Sequence, residues 1–238
     1  MFVMGLGLSV GLEHAFQADH VSAVSTQVSK SKISKKSAKQ ILQESVTKSS
    51  LLGVFWGAGH TTTLVLMGLL VYSLAITIQD NIFSGLEFVV GLMLVFLGVS
   101  AILNRKITKF RHRHPHQHKD GTVHLDVHEH TDVDHKHGHK SYLIGLVHGL
   151  AGSGGLVVLT AATLDNVGHV LEFILIFGIG SMIGMAIIGS LMGIPFALAN
   201  KIIVLQKLFR YVAGSFSLLI GINIIYQIGI LGNLFGFS

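Results

Sequence analysis

Six stretches of about twenty or more apolar residues, separated by polar gaps, restrict this chain to a bilayer. They lie near residues 2–28, 50–75, 82–104, 141–163, 171–196 and 209–232. Each is long enough to cross roughly 30 Å of hydrocarbon as a helix. Only 12% of the residues are charged, against roughly 25% in a typical soluble domain, which excludes a water-soluble fold. The expected class is an all-α integral membrane protein with six transmembrane helices. The 28 glycines fall largely inside the apolar stretches, where they let membrane helices approach closely. No basic region precedes the first stretch, so a signal peptide is not expected. With no cysteine in the chain, disulfides and thiolate ligands are excluded, and any metal would be held by nitrogen and oxygen.

The net charge of +5 does not point to nucleic acid, because the basic residues are sorted by topology. Lys30, Lys32, Lys35, Lys36, Lys39 and Lys48 fill the first gap, and Lys201, Lys207 and Arg210 the fifth. Eight more lysines and arginines occupy the third gap, whereas the second and fourth hold Asp80 and Asp165 and no base. By the positive-inside rule the odd-numbered gaps face the cytoplasm and both termini lie outside. The expected location is the plasma membrane.

Three regions follow: a first transmembrane repeat at 1–104, a His-rich cytoplasmic loop at 105–140, and a second transmembrane repeat at 141–238. The loop carries ten of the fifteen histidines and almost nothing to bury, and is expected to be solvated, mobile and loosely metal-binding. The Lys-rich stretch 29–48 is expected to be solvated or to lie among lipid headgroups. The repeat is read from matching motifs. Gly11-Leu12-Glu13-His14 aligns with Gly145-Leu146-Val147-His148, Gly57-Ala58-Gly59-His60 with Gly178-Ile179-Gly180-Ser181, and Gly91 and Gly98 with Gly214 and Gly221. Because each repeat holds three spans, the halves would run in opposite senses, a 3+3 inverted repeat of the kind found in secondary transporters. Sites in such folds lie near the midplane.

Chemistry concentrates in the first span, in His14-Ala15-Phe16-Gln17-Ala18-Asp19-His20. Ionisable groups are expensive at bilayer depth and mark functional sites. Two imidazoles and a carboxylate suit a transition-metal divalent cation. On a regular helix, however, Asp19 lies about 140° around from His14 and His20 about 9 Å along, so one ion cannot reach all three. A helix unwound or bulged near 16–18 is therefore expected. His60, followed by Thr61, Thr62 and Thr63 in the second span, is the natural third nitrogen, and His148 stands where His14 stands in the other repeat. The candidate metal residues are His14, Asp19, His20, His60 and His148. Glu13 is a weaker candidate, and His169 reads as interfacial.

These residues resemble the motifs of the nickel/cobalt transporter family and its urease-accessory-type and resistance-exporter relatives. The family's H-x4-D-H motif stands here as His14 to His20, and its Gly-His-Ser/Thr-Thr motif as Gly59-His60-Thr61-Thr62. The resemblance implies metal recognition by His14, Asp19, His20 and His60. Two departures favour the urease-accessory-like relatives. The best-known permeases have eight spans, and their Asp-Thr-Ala-Thr-Glu motif is replaced here by Gly149-Leu150-Ala151-Gly152-Ser153-Gly154-Gly155. The expected function is secondary transport of nickel or cobalt, with zinc as a third cargo, in the uptake direction. The alternatives are efflux, or a membrane metal receptor or chaperone serving metalloenzyme maturation. No bound cofactor and no enzymatic activity are expected: no nucleotide-binding signature and no H-E-x-x-H occurs. The expected partners are the divalent ion, the lipid bilayer and a cytosolic metallochaperone.

Overall fold

A computed structural model describes residues 2–29, 37–74, 80–103, 114–117, 123–126, 134–149, 166–199 and 202–234. The chain is helical apart from one small hairpin among these residues. In chain order the helices are α1 (Phe2–His14), α2 (Ala18–Val28), α3 (Ala38–Leu74), α4 (Asp80–Ile102), α5 (Asp134–Gly149), α6 (Val167–Leu198) and α7 (Ile203–Ile225). Helix α7 continues as a π-helical turn, Tyr226–Leu231. Among the described residues, four helical segments are long and apolar enough to cross a membrane: Ala38–Leu70, Ile82–Ile102, Val167–Leu198 and Ile203–Leu231. Their outward faces carry exposed Leu66, Phe96, Leu175, Leu191, Val204 and Leu219, apolar surface that a bilayer covers. The chain is a multi-pass membrane protein.

The first expected span is divided rather than continuous. At about 1.5 Å per residue, α1 is about 20 Å long and α2 about 17 Å, so neither crosses alone. Between them the helix tightens: the Phe16 amide bonds to the Glu13 carbonyl at 2.9 Å and the Gln17 amide to that of His14 at 3.1 Å. Gln17 then adopts an extended ψ of 149° and starts α2. Helix α2 is polar in sequence yet buries Ser22, Ser25 and Thr26. Their hydroxyls are satisfied locally, each donating to the carbonyl three residues back, so a polar helix survives inside an apolar bundle.

Helix α3 begins three turns earlier than the expected second span. The Lys-rich stretch is therefore not wholly solvated, because Ile41, Ser45 and Ser49 are buried and Ser45 Oγ donates to the Gly193 carbonyl of α6 at 2.8 Å. The His-rich loop likewise has a definite register where it is described. Residues 114–117 and 123–126 pair antiparallel, with His114 opposite Asp126 and His116 opposite His124. The expected fourth span is described only as far as Gly149, and its remainder to 163 lies outside the described residues.

Packing explains the glycines. Helix α1 lies on α6, α5 on α3, α3 on α6, and α4 on α7. A Cβ on Gly11 would collide with the Phe177 carbonyl, and one on Gly145 with the Trp56 carbonyl. Gly59 meets the Tyr142 carbonyl in the same way as Gly180 meets that of Leu8. Gly98 and Gly214 approach each other's carbonyls, as do Gly91 and Gly221. The contacts thus come in reciprocal pairs that follow the motif matches of the sequence. Two apolar clusters fill the space between, one around Trp56, Leu94 and Met185 and the other around Leu64, Ile174 and Phe177.

Candidate metal centre

The break between α1 and α2 brings the motif histidines together. His14 ends α1 and His20 lies in the first turn of α2, and the tight turn between them folds the second ring back toward the first. Their ring centroids are 4.4 Å apart. His60, midway along α3, comes within 5.2 Å of His14 and 5.4 Å of His20. His148, at the end of α5, lies 4.3 Å from His20 and 6.4 Å from His60. All five candidate residues therefore converge, from four different helices.

Two overlapping groups are close enough together to hold a metal ion. One ligand atom from each of His14, His20 and His60 lies within 4.8 Å of the others, and so does one from each of Asp19, His20 and His148. His20, His60 and His148 are 0% exposed and His14 5%, leaving Asp19 as the one member with an open edge, its side chain 19% exposed.

Asp19 organises the cluster. Oδ1 lies 2.9 Å from His20 Nδ1 and Oδ2 2.8 Å from His148 Nε2. A carboxylate only accepts, so each of those ring nitrogens carries its proton and donates. The lone pairs then sit on His20 Nε2 and His148 Nδ1, both buried and without a hydrogen-bond partner. An unsatisfied buried polar atom costs roughly 1–3 kcal/mol. A carboxylate that fixes the tautomer of an imidazole while its other nitrogen stays available is the usual arrangement behind a metal ligand. The chemistry this geometry offers is coordination of a divalent cation by imidazole nitrogens, which suits nickel, cobalt and zinc.

The remaining candidates fall outside. The hydroxyls of Thr61, Thr62 and Thr63 bond to carbonyls one turn back on α3, and Thr63 also donates to the Leu146 carbonyl of α5 at 2.9 Å, so they brace His60 rather than join it. Glu13 and His169 are exposed. His139 is exposed as well, and the side chains of the other loop histidines lie outside the described residues.

Two aromatic residues were missed from sequence. The Trp56 ring lies 5.1 Å from His20 and 5.1 Å from His148, and the Phe177 ring 5.3 Å from His14. They occupy equivalent positions, each just before the aligned Gly57 and Gly178, and they wall the cluster from both sides. The signal was present: Trp56 is the sole tryptophan and lies inside a span, whereas membrane tryptophans favour the interfaces.

Comparison with known proteins adds two matches. The family described as "Cytochrome C biogenesis protein transmembrane region" matches residues 58–223, a range that includes His60 and His148 but not the His14–His20 motif. The matching family is thus not the nickel/cobalt transporter family expected from the motifs. A "Urease accessory protein UreH" from Bacillus sp. (strain TB-90) is 37% identical over 241 residues, covering 98% of this chain and 94% of that protein. No solved structure matches. With most of its length matched by the first and nearly all of it by the second, the chain belongs to the cytochrome c biogenesis protein transmembrane region family and is a full-length relative of a urease accessory protein.

Proposed function

We propose that this protein carries nickel or cobalt ions across the membrane through the His14, His20, His60 and His148 cluster, with Asp19 orienting its imidazoles. The observation that carries this reading is the gathering of buried imidazoles from four helices into two overlapping groups that share His20. The urease accessory relative supports nickel as the first cargo, and the motifs support kinship with the nickel/cobalt transporters. Six spans in a 3+3 inverted repeat would account for the reciprocal glycine contacts. A divided first span also fits, since transporter sites form at discontinuous helices. His14 rides on α1, which packs on α6, whereas His20 rides on α2, which also packs on α4 and α7. Movement of those bundles against each other would open the cluster and release the ion.

Uptake is the proposed direction, with both termini outside and the His-rich loop in the cytoplasm, where it would hand metal to a cytosolic chaperone. A divalent ion entering across 100 mV gains about 4.6 kcal/mol, twice the single-charge value of about 2.3. The test is radiolabelled nickel flux in proteoliposomes of defined orientation, with cobalt and zinc as competitors. His20→Ala should abolish flux while leaving the protein folded. Flux undiminished in that variant would overturn the site.

The name of the relative favours a second reading, a membrane receptor that collects nickel for urease maturation without transporting it. Deleting residues 112–139 separates the two. A transporter keeps a basal flux, and a receptor that works through the loop loses its function.

A further inference from the structure

A cavity of about 330 Å³ opens beside the cluster, between α2, α4, α7 and the π-helical turn. Its polar walls are Gln17, Asp19, Glu87, Asn223 and Gln227, completed by three aliphatic side chains. We infer that this cavity is a vestibule that captures the hydrated divalent cation before it sheds water into the histidine cluster. The inference rests on the metal-carrier reading and adds to it the route and the residues that serve it.

Four observations carry it. First, Asp19 belongs both to the cavity wall and to the cluster, and it is the one cluster member with an open edge. The cavity therefore reaches the open edge of Asp19, and the His20 ring behind Asp19 carries an unpartnered, fully buried Nε2 on its far side. Second, the lining holds two acidic side chains, Asp19 and Glu87, and no basic one, which favours a cation over an anion. Third, Gln17, Asn223 and Gln227 add amide oxygens. Carboxylate and amide oxygens suit hard, hydrated divalent ions, whereas the imidazoles behind them suit the ion once stripped. An octahedral shell of six waters takes up about 180 Å³ at about 30 Å³ each, which the cavity accommodates. Fourth, the helix widens to π geometry from Tyr226, within one turn of Asn223 and at Gln227. Such local widenings recur at functional sites.

The sole tryptophan supplies a reporter. Trp56 lies against His20 and His148, so a paramagnetic ion reaching the cluster quenches its fluorescence, and the His60→Ala variant separates that quenching from any by ions held on the His-rich loop. The experiment is stopped-flow mixing of the full chain in nanodiscs with Ni²⁺. The variants are Glu87→Gln and Gln227→Leu, with His60→Ala for comparison, all with thermal melts checked against the parent. Clefts lined by one sign of charge raise on-rates by roughly 10- to 1000-fold. Glu87→Gln is therefore expected to slow quenching by about tenfold or more with its final amplitude preserved, and Gln227→Leu to slow it in the same sense. His60→Ala is expected to lose the amplitude itself. Parent-like rates in both wall variants would overturn the vestibule and leave the metal centre standing. Absence of quenching in the parent would overturn both.

Discussion

Asp19 shows most clearly how one residue sets the chemistry of the cluster. Its two oxygens accept hydrogen bonds from His20 and His148, and this fixes which nitrogen of each ring remains for a metal. An asparagine would offer one accepting oxygen and a donating amide, so one imidazole would have to turn its lone pair toward that amide. Asp19→Asn is therefore expected to weaken nickel binding by about 10- to 100-fold, the usual range for losing such a supporting partner, with an unchanged melting temperature. Equilibrium titration of the purified variant checks this, and parent-like affinity would mean that Asp19 orients nothing. The identity of these residues was legible in the chain, because ionisable groups in an apolar span have few uses. The bridging of two histidines by Asp19 was not: spacing makes it a candidate ligand beside the histidines, and its hydrogen bonds to His20 and His148 are visible only in the structure. His148 was reached from sequence only through the repeat, since its own span carries no second motif residue within the described range.

At the scale of elements, the break at residues 15–17 was foreseeable because five-residue spacing cannot converge on a straight helix. The manner of the break was not foreseeable. A turn of tight i→i+3 bonds followed by extended Gln17 does the work, where a bulge within a continuous helix was an equal expectation. The glycine contacts make a sharper test of helix packing. Gly11→Val and Gly145→Val each drive a side chain into a backbone carbonyl, of Phe177 and Trp56 respectively, and overpacking of that kind costs about 1–3 kcal/mol. Gly85 has open space around its missing Cβ, so Gly85→Ala should be neutral or slightly stabilising. Thermal unfolding in detergent compares all three. Equal melting temperatures for the three variants would contradict the close approach of α1 to α6 and of α5 to α3. The extension of α3 into the Lys-rich stretch escaped sequence reading because lysines at 39 and 48 hide a buried stripe of Ile41, Ser45 and Ser49. Small hydroxylated residues read as polar, yet here they are what lets α3 lie against the glycines of α6.

At the scale of the molecule, bilayer residence was fixed by hydropathy alone, and the exposed apolar faces of α4, α6 and α7 agree with it. The motif matches were visible as a handful of glycines and histidines, and Gly11, Gly59, Gly91, Gly98, Gly145, Gly180, Gly214 and Gly221 each meet a backbone carbonyl of another helix. The asymmetry of the candidate ligands was legible in the sequence too. The first half contributes His14, Asp19, His20 and His60, while the second contributes His148 and has Ser181 where the first has His60. The first half thus carries four of the five candidate ligands, and the second adds His148 and the Phe177 ring beside His14.

The most direct measurement is nickel K-edge X-ray absorption on the chain in nanodiscs, with residues 112–139 removed so that loop histidines cannot contribute and with one equivalent of nickel bound. The expected result is a first shell with at least three imidazole nitrogens, reduced when His60 is replaced by Ala. A shell made only of oxygen, or one identical in His60→Ala, would contradict a nickel site at the histidine cluster.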